Sequence, residues 1–272
     1  MKTIALLTDF GYSDPYVGIM KGVISTSDPD IRCIDLTHAV RRHSILSAAY
    51  ILYSAWDWLP EETVFLSVVD PGVGSVRREL IGMQGNKLVV TPDNGTVSLL
   101  AGMNPGLACY RAEPVLLEHL RQKKPRYSST FDGRDLFAPL AARAAAAESV
   151  QDVIGNLTGE KITPILRQEA GYEPEKKQGT VMHIDHFGNC VSSIHITDVG
   201  KAASGSTGGI SVSAGSGKFP ELYLSESYSD VAPGEPIVYW GSAGFLELAV
   251  REGSAEEEYT LSIGDVVEIS LL

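Results

Sequence analysis

The sequence predicts two domains, an α/β domain followed by an all-β domain. In the first half, apolar segments of strand length alternate with segments that have helical spacing of apolar residues, which is typical of βαβ units and a mostly parallel sheet. After the polar stretch at 168–178, short apolar segments alternate with turns, and no long helical pattern remains. We therefore predict an α/β domain over 1–167, a linker over 168–178 and a small β-barrel or sandwich over 179–272.

The strands of the first domain are predicted where a short apolar run is bounded by turn residues. These strands and shorter β segments cover 4–8, 31–36, 63–69, 80–83 and 87–91. The run at 63–69 predicts a buried strand because it is almost continuously apolar. The last two segments flank Gly85-Asn86, which indicates a turn between them.

Four helices are predicted in the same domain, over 15–24, 43–58, 96–101 and 136–149. For the first, Asp14 is the expected N-cap and Pro15 the expected first helical residue. The second places apolar residues on one face: Ile45, Ala48, Ala49, Leu52 and Ala55. The fourth is rich in alanine and is expected to follow a turn at 133–135.

The second domain contains β segments that are short and flanked by turn residues. They cover 179–184, 190–196, 209–212, 236–240, 245–250 and 265–272. A stretch rich in glycine and serine, 202–217, is predicted to be a loop.

Composition limits the classes of partner. The net charge of −12 over 272 residues argues against a nucleic-acid backbone as ligand, because such a ligand requires a basic face. The three cysteines, Cys33, Cys109 and Cys190, are far apart and form no CxxC pair, so neither a disulfide framework nor a zinc site is predicted. The apolar run at the N-terminus ends at Asp9, and no segment approaches membrane-spanning length. We expect a cytoplasmic protein that contacts neither nucleic acid nor membrane.

Two motifs resemble a dinucleotide-binding site and a metal site, but neither has the residue pattern that such a site requires. Gly72-Val73-Gly74 lacks the third glycine of a dinucleotide-binding fingerprint and precedes a predicted strand instead of a helix. On a strand, His183 and Asp185 would share one face and His186 would point to the other, so no metal site is predicted.

Carboxylates follow the predicted strands and precede a predicted helix. Asp9 and Asp70 come after the first and third strands, and Asp132 comes just before the fourth helix. The segment at 68–78 is the most informative about a functional site. It contains Asp70, then a proline and two glycines that favour a turn, and ends with two arginines. Ligands of open α/β sheets bind at strand ends, so this segment predicts site chemistry. Asp14, Asp93 and Asp135, taken singly, are interpreted as turn or capping residues.

Six ordered motifs resemble one known family. They are Thr8-Asp9-Phe10-Gly11 with Ser13-Asp14-Pro15-Tyr16-Val17-Gly18 and Met20-Lys21-Gly22, Val69-Asp70-Pro71-Gly72-Val73-Gly74, Pro92-Asp93-Asn94-Gly95, Phe131 with Gly133-Arg134-Asp135-Leu136-Phe137-Ala138-Pro139, Ile184-Asp185-His186-Phe187-Gly188-Asn189, and Ser242-Ala243-Gly244 with Leu246-Glu247. The sequence resembles the S-adenosyl-L-methionine (SAM) hydroxide adenosyltransferases, which are relatives of the bacterial fluorinase and chlorinase. The resemblance spans almost the whole chain and keeps the motif order.

The resemblance implies a fold, an assembly and a reaction. The fold is a seven-stranded, Rossmann-like α/β domain followed by a C-terminal β-barrel. The assembly is a homotrimer in which the substrate lies between the first domain of one subunit and the second domain of its neighbour. The implied reaction is attack of water or hydroxide on the 5′ carbon of SAM, which gives adenosine and methionine. Because a sulfonium is already a good leaving group, no cofactor or metal is expected.

The resemblance also implies a role for each matching residue. Asp9 would bind the ribose hydroxyls, and Asp70 and Arg77 would orient the attacking water. The remaining implied roles concern the two ends of the substrate: Asp14 and Asp185 at the methionine ammonium, Ser242 at its carboxylate, Phe187 stacked near the adenine and Asn189 at the adenine edge.

The sequence departs from the family pattern at two positions. Asp132 stands where the hydrolases carry a histidine, which makes it the third catalytic candidate. Asp70 and Asp132 would either share a proton or have their charge compensated by Arg77 or Arg134. His43 stands where halogenating relatives place a tryptophan against the ribose. It would either supply the missing imidazole or lie on the surface.

Two alternatives to a hydrolase stay open. One is a halogenase on the same scaffold, which the charge of Asp70 disfavours because halogenating relatives carry an uncharged residue there. The other is a protein that binds SAM or adenosine without catalysis, in which Asp132 would mark lost chemistry.

Overall fold

The computed structural model describes residues 3–122, 130–148, 158–161, 163–164, 166–199 and 210–271. The chain divides into two compact units, Met1–Leu166 and Arg167–Leu272. Each unit is described by itself below. Within the described part of the chain, no helix combines the length and the apolarity needed to cross a membrane.

The first unit is built on a seven-stranded mixed sheet. Its strands are β1 (Thr3–Thr8), β2 (Arg32–Thr37), β3 (Thr63–Val68), β4 (Glu79–Gln84), β5 (Lys87–Pro92), β6 (Ala108–Ala112) and β7 (Thr158–Lys161). The strand order is β2-β1-β3-β5-β4-β6-β7. Pairs among β2, β1, β3 and β5 are parallel, whereas β4 pairs antiparallel with β5 and β6, and β6 pairs antiparallel with β7. The predicted α/β class is confirmed, and the sheet is parallel in one half.

Helices cover both faces of this sheet. They are α1 (Tyr16–Ser27), α2 (Ile45–Trp56), α3 (Ser98–Met103), α4 (Pro114–Gln122) and α5 (Ala138–Ala146). Successive side chains of β1 enter different cores, because side chains alternate across a strand. Ile4 and Leu6 pack in the core that includes Met20 of α1, and Ala5 and Leu7 pack in the core that includes Leu52 of α2. A sheet covered on both faces explains why its central strands are almost wholly apolar.

The strand order brings the candidate residues to one edge of the sheet. β1, β3 and β5 are parallel, so Asp9, Asp70 and Asp93 all follow strands that end at the same edge. β4 runs antiparallel to β5 and pairs Glu79 with Pro92, so Arg77 and Arg78 arrive at that edge as well. The α/β topology alone therefore places the acids and the arginines together.

Several local predictions are wrong in the first unit. Pro15, and not Asp14, is the N-cap of α1, and no side chain caps that helix end. The predicted turn at 133–135 is a π-helical segment, Gly133–Phe137, that leads directly into α5. β6, β7 and α4 were not predicted. α5 ends at Ala146, and residue 149 of the predicted helix lies outside the described residues.

The second unit is a nearly closed antiparallel barrel. Its strands are β8 (Gln178–Ile184), β9 (Cys190–His195), β10 (Ile210–Ala214), β11 (Phe219–Tyr223), β12 (Pro236–Trp240), β13 (Phe245–Val250) and β14 (Val266–Leu271), with a short helix α6 (Ala255–Glu258). The order is β11-β10-β14-β8-β9-β13-β12. The two edges meet where Ser225 N, just beyond β11, donates to Val238 O of β12 at 2.8 Å. The predicted all-β class is confirmed, in its barrel form.

Two segments of this unit differ from their predicted state. The β segment predicted at 209–212 is confirmed as β10, because Ile210, Val212 and Ala214 alternate into the core, whereas the overlapping loop prediction over 202–217 is wrong for the residues of this strand. β11 was not predicted, since Pro220 interrupts it and most of its residues are exposed, as is common for a strand at a sheet edge. Residues 209 and 272 of the predicted strands lie outside the described residues.

Candidate active site

The three predicted catalytic residues meet at the edge of the first sheet. Arg77 Nε donates to Asp70 Oδ2 at 2.7 Å, and Arg77 Nη2 contacts the same oxygen. Arg77 Nη2 also donates to Asp132 Oδ2 at 2.8 Å. The side chains of Asp70, Arg77 and Asp132 are 5%, 11% and 10% exposed, so the cluster is largely removed from solvent. We call these three residues the charged cluster.

One guanidinium thus serves two carboxylates. Among the arrangements left open by the sequence, the geometry matches charge compensation of Asp132 by Arg77. Arg134 binds Asp135 through Nε at 2.6 Å and Nη2 at 2.9 Å. Burial by itself lowers the pKa of Arg77. The hydrogen bonds and charges of Asp70 and then of Asp132 outweigh burial, and together they raise the pKa of Arg77 above its ordinary value. The cluster therefore holds two acids and one permanent cation.

The loop between Asp70 and Arg77 folds back on itself for local reasons. Gly72 N donates to Asp70 Oδ1 at 3.2 Å, and Ser75 N donates to Gly72 O at 3.0 Å. Gly74 has a φ of 80°, a left-handed conformation that favours glycine. These turns return the chain within seven residues, so that Arg77 faces the carboxylate from which the loop began.

A cavity of about 430 Å³ opens beside the charged cluster. Asp70 and Asp132 form part of its wall, and Asp9 lies on the same wall. Aromatic rings form another part: Phe131 lies 5.8 Å from Phe10 and 5.2 Å from Tyr16, measured between ring centroids. The volume suits a small molecule. The lining combines aromatic rings with many charged and polar side chains, since Arg42, His43 and Thr130 also line the cavity. Sequence reasoning missed the three aromatic residues, although Phe10 and Phe131 are neighbours of predicted site residues.

Asp9 and Asp14 have different surroundings. Asp9 Oδ2 accepts a hydrogen bond from His43 N at 2.9 Å, which fixes the carboxylate at the cavity wall. The His43 ring lies 3.9 Å from the same oxygen, and its side chain is 72% exposed. Because His43 also lines the cavity, it lies both on the surface and at the wall of the candidate site. Asp14 is exposed on the segment before α1 and is absent from the cavity lining among the described residues.

In the second unit, three predicted residues share one tight turn after β8. Asp185 Oδ1 accepts from Phe187 N at 2.8 Å and from Asn189 N at 2.9 Å, and Asp185 Oδ2 accepts from Asn189 Nδ2 at 3.0 Å. Gly188 has a φ of 83°, and a Cβ there would overlap the Ser254 side chain. β8 ends at Ile184, so the premise that Asp185 and His186 lie on a strand is wrong. Among the described residues, no group of three or more His, Cys, Asp or Glu side chains is arranged to hold a metal ion.

The same turn contains an exposed aromatic ring and a buried hydrogen-bond acceptor that has no donor. Phe187 is 72% exposed, which is unusual for a large apolar side chain. Asn189 is 8% exposed, and its Oδ1 atom is buried without a hydrogen-bond partner. A buried acceptor without a donor is costly, so a donor from a ligand would stabilise this turn.

Ser242 lies on the turn between β12 and β13. Gly241 N donates to Phe245 O at 2.8 Å and Gly244 N donates to Gly241 O at 2.9 Å, which closes the turn. Beside it, Tyr239 Oη donates to the buried Glu247 Oε2 at 2.8 Å. Burial raises the pKa of Glu247, and the charge of Asp185 adds to this effect. Glu247 pairs with Val191 of β9, two residues after Asn189, so it lies near the turn at 185–189, which we call the Asp185 turn.

Fold and site together define a two-domain enzyme, in which an α/β unit carries a charged cluster beside a small-molecule cavity and a barrel follows in the chain. The chain belongs to the SAM hydroxide adenosyltransferase family. The model of that family's N-terminal domain matches residues 4–154, and the model of its C-terminal domain matches residues 179–268.

Individual relatives agree with this assignment. The chain is 34% identical to a protein of Thermus thermophilus named (R)-S-adenosyl-L-methionine hydrolase, over 99% of this chain and 100% of the relative. It is also 34% identical to a protein of the same name from Salinispora tropica, over 98% and 97% of the two chains. A fluorinase from Actinopolyspora mzabensis is more distant, with 25% identity over 98% of this chain and 96% of the relative. A crystal structure of a Thermotoga maritima protein superimposes with a TM-score of 0.81 at 33% identity, and the match covers 98% and 100% of the two chains.

Proposed function

We propose that this protein hydrolyses SAM to adenosine and L-methionine by attack of water on the 5′ carbon. The observation that carries the proposal is the charged cluster of Asp70, Arg77 and Asp132 on the wall of a cavity of about 430 Å³. The hydrolases of Thermus thermophilus and Salinispora tropica are named for the (R) form of the substrate. We propose the same sulfonium configuration for the substrate of this protein.

The reaction requires positioning more than activation. The carbon–sulfur bond breaks as the carbon–oxygen bond forms, the electron pair leaves with sulfur as the neutral thioether of methionine, and water loses one proton to a carboxylate and then to solvent. No metal or cofactor is needed, because the sulfonium leaves without help. Asp70 and Asp132 accept hydrogen bonds from the water, and Arg77 holds both carboxylates in place. Holding reactants in line accounts for a large part of many enzymatic accelerations.

The remaining residues bind the substrate. Asp9, already fixed by His43 N, accepts hydrogen bonds from the ribose hydroxyls. The buried Asn189 Oδ1 accepts a hydrogen bond from the amino group at the adenine edge, and the exposed Phe187 ring stacks near the adenine. Asp14 and Asp185 bind the ammonium group, and Ser242 binds the carboxylate of the methionine portion.

The proposed assembly is a homotrimer in which one subunit supplies the first domain and its neighbour the second domain of each site. Exposed apolar residues on the cavity side of the first unit support this proposal, since they would be covered by a partner: Tyr12, Tyr16, Val73 and Val76. The proposed compartment is the cytoplasm. It is supported by the three cysteines, all of which are described and none of which forms a disulfide.

A product assay tests the function and its alternatives. The purified protein is incubated with separated (R) and (S) epimers of SAM in H₂¹⁸O, with and without chloride. We expect adenosine with one ¹⁸O at the 5′ position, formed mainly from the (R) epimer and independent of chloride. A 5′-chlorinated nucleoside would establish the halogenase instead. Tight binding without any product would establish the non-catalytic protein.

A mixing experiment tests the shared site. Asp70→Asn disables the first domain's part of each site, and Asp185→Ala disables the second domain's part, because it removes the carboxylate that organises the turn after β8. If sites form between subunits, unfolding and refolding the two variants together restores part of the activity, whereas each variant alone stays weak. A mixture no more active than the average of the two variants contradicts the shared site.

A further inference from the structure

The motif Pro92-Asp93-Asn94-Gly95 has no role in the proposed reaction, although it follows β5 at the edge where the charged cluster lies. β5 lies between β3 and β4 in the sheet. β3 leads into Asp70, and β4 begins just after Arg77. The motif therefore lies between the two ends of the loop at 69–78, which carries Asp70 and Arg77 of the charged cluster. The first end of this loop is Val69 and the second end is Arg78.

Asn94 holds the first end of this loop. Its Nδ2 donates to Val69 O at 2.8 Å, one residue before Asp70. Its Oδ1 accepts from Thr96 N at 3.2 Å and from Thr96 Oγ1 at 2.8 Å. Because Thr96 occupies the amide oxygen, the orientation of the amide is fixed with its donor towards Val69.

Asp93 holds the second end. Asp93 Oδ2 accepts from Arg78 Nε at 3.0 Å and from Arg78 Nη2 at 2.5 Å, one residue after Arg77. Asp93 N donates to Arg78 O at 2.9 Å, so backbone and side chain are both held. The Asp93 side chain is only 1% exposed, whereas Arg78 is 36% exposed, so the carboxylate is the buried partner of this pair. Its two charge-assisted hydrogen bonds fix the position of the Arg78 guanidinium.

Between these two ends, the loop has little packing of its own. Val76 is fully exposed and Val73 is largely exposed, so neither anchors the loop in a core of this chain. The contacts within the loop are short-range hydrogen bonds such as those of Gly72 N and Ser75 N. Asp70 and Arg77 contact each other, and Arg77 also packs over the Phe137 ring, with 5.1 Å between its Cζ and the ring centroid. The backbone that carries the two side chains is held at residues 69 and 78.

We propose that Asp93 and Asn94 are positioning residues that set the geometry of Asp70 and Arg77 for attack by water. This inference rests on the proposed function, since the geometry matters for hydrolysis. Neither residue touches the reacting atoms. They act through Val69 and Arg78, and misplacement of a catalytic group by about 1 Å costs rates of the order of 100-fold.

Two variants and one matched control test this role. Asn94→Ala removes the hydrogen bond to Val69 O at the first end of the loop. Arg78→Lys replaces the two guanidinium hydrogen bonds to Asp93 at the second end with one ammonium contact. The control is Arg111→Lys, because Arg111 of β6 pairs with Glu79, the residue that follows Arg78 in the chain. The exposed fractions of the two ion pairs match: 38% and 2% for Arg111 and Glu79, against 36% and 1% for Arg78 and Asp93.

We expect kcat to fall about 10- to 100-fold in Asn94→Ala and Arg78→Lys, while KM for SAM stays within about 2-fold. We expect Arg111→Lys to keep the wild-type kcat. An equal fall in the control would show a general loss of sheet stability and would overturn the proposal. So would a kcat within 2-fold of wild type in both test variants.

A second measurement separates this inference from the proposed function. Arg77 Nε–H donates to Asp70, and its exchange with solvent can be followed by ¹⁵N NMR whether or not SAM is cleaved. We expect faster exchange in Asn94→Ala and Arg78→Lys than in wild type and Arg111→Lys. If wild type does not cleave SAM, the proposed function fails, and faster exchange still supports the positioning role. Unchanged exchange overturns the positioning role.

Discussion

The charged cluster of the first unit and the Asp185 turn of the second unit differ in how complete they are. In the cluster, Arg77 and both carboxylates already have their partners, and all three side chains are largely buried. In the turn, Asp185 is satisfied, but Asn189 Oδ1 is a buried acceptor without a donor and Phe187 is exposed. The charged cluster is therefore already satisfied within this chain, whereas the turn at 185–189 keeps an acceptor and an apolar ring that a ligand would complete.

Removing the shared cation is expected to have the largest effect. Arg77→Met leaves two buried carboxylates without compensation, so we expect the free energy of unfolding to fall by about 3 kcal/mol. We expect kcat/KM to fall by a factor of about 100 to 1000, a loss typical of removing one preorganised charged donor. Urea unfolding and steady-state kinetics measure the two effects.

The control for this variant is Arg134→Met. It also leaves a buried acid, Asp135, without its bidentate partner, but outside the charged cluster. We expect a comparable loss of stability with a much smaller loss of activity. Equal losses of activity in the two variants would contradict a special role for Arg77.

Replacing Asp132 with histidine is expected to change the pH dependence of the reaction. The Asp132→His variant puts a group with an ordinary pKa of about 6.5 into the cluster. We expect its kcat to gain a dependence on pH near that value that wild type does not show. Rate profiles between pH 5 and 9 measure this difference. A variant with an unchanged profile would show that position 132 does not contact the water.

Changes in the Asp185 turn are expected to affect binding rather than turnover. In Asn189→Ala, KM for SAM should rise about 3- to 10-fold, the effect of one hydrogen bond, while kcat changes little. This change removes an acceptor that lacks a donor but also the Nδ2 hydrogen bond to Asp185, so urea unfolding is measured alongside the kinetics. Asn189→Asp is the informative companion, since it keeps the acceptor but loses the Nδ2 donor to Asp185. A fall in kcat with unchanged KM would contradict the distinction between the two regions.

The smallest expected effect concerns Glu247. Burial, with a further contribution from Asp185, raises the pKa of Glu247 in the folded state, so the folded protein holds this proton more tightly than the unfolded chain. Its contribution to stability therefore falls as pH rises from the ordinary glutamate pKa through the raised value. Glu247→Gln keeps an acceptor for Tyr239 and removes the ionisation, so its stability should depend less on pH over that range. Urea unfolding at several pH values tests this, and parallel curves for variant and wild type would contradict it.

Periodicity in the sequence was enough to predict most of the fold. The central strand Thr63–Val68 and the helix Ile45–Trp56 have patterns that only one kind of element satisfies. The segment at 133–135 was predicted to be a turn because glycine and aspartate favour turns. In the structure, Asp135 N donates to Phe131 O at 3.1 Å and the backbone continues as a helix, a tertiary outcome that composition does not encode.

The candidate site was predicted by resemblance, and only in part by local chemistry. Local pattern indicated Asp9 and Asp70 as strand-end acids, and the segment from Asp70 to Arg77 as a returning loop. Pairing of Asp132 with Arg77 was one of the alternatives that the sequence left open. Local pattern could not choose among them, because the contact depends on how the segment before α5 packs against the sheet. The roles of Asp93 and Asn94 were missed for a related reason, since their partners, Val69 and Arg78, are neighbours in the sheet and not in the sequence.

The bond between Arg77 and Asp132 also has a consequence for folding. Its two residues are separated by 55 positions, so the bond forms only after a long stretch of chain has been brought to one place. Closing such a loop carries an entropic cost that local contacts do not share. A partly folded chain with native β3 and β4, in which Asp132 is not yet placed, therefore lacks the complete cluster.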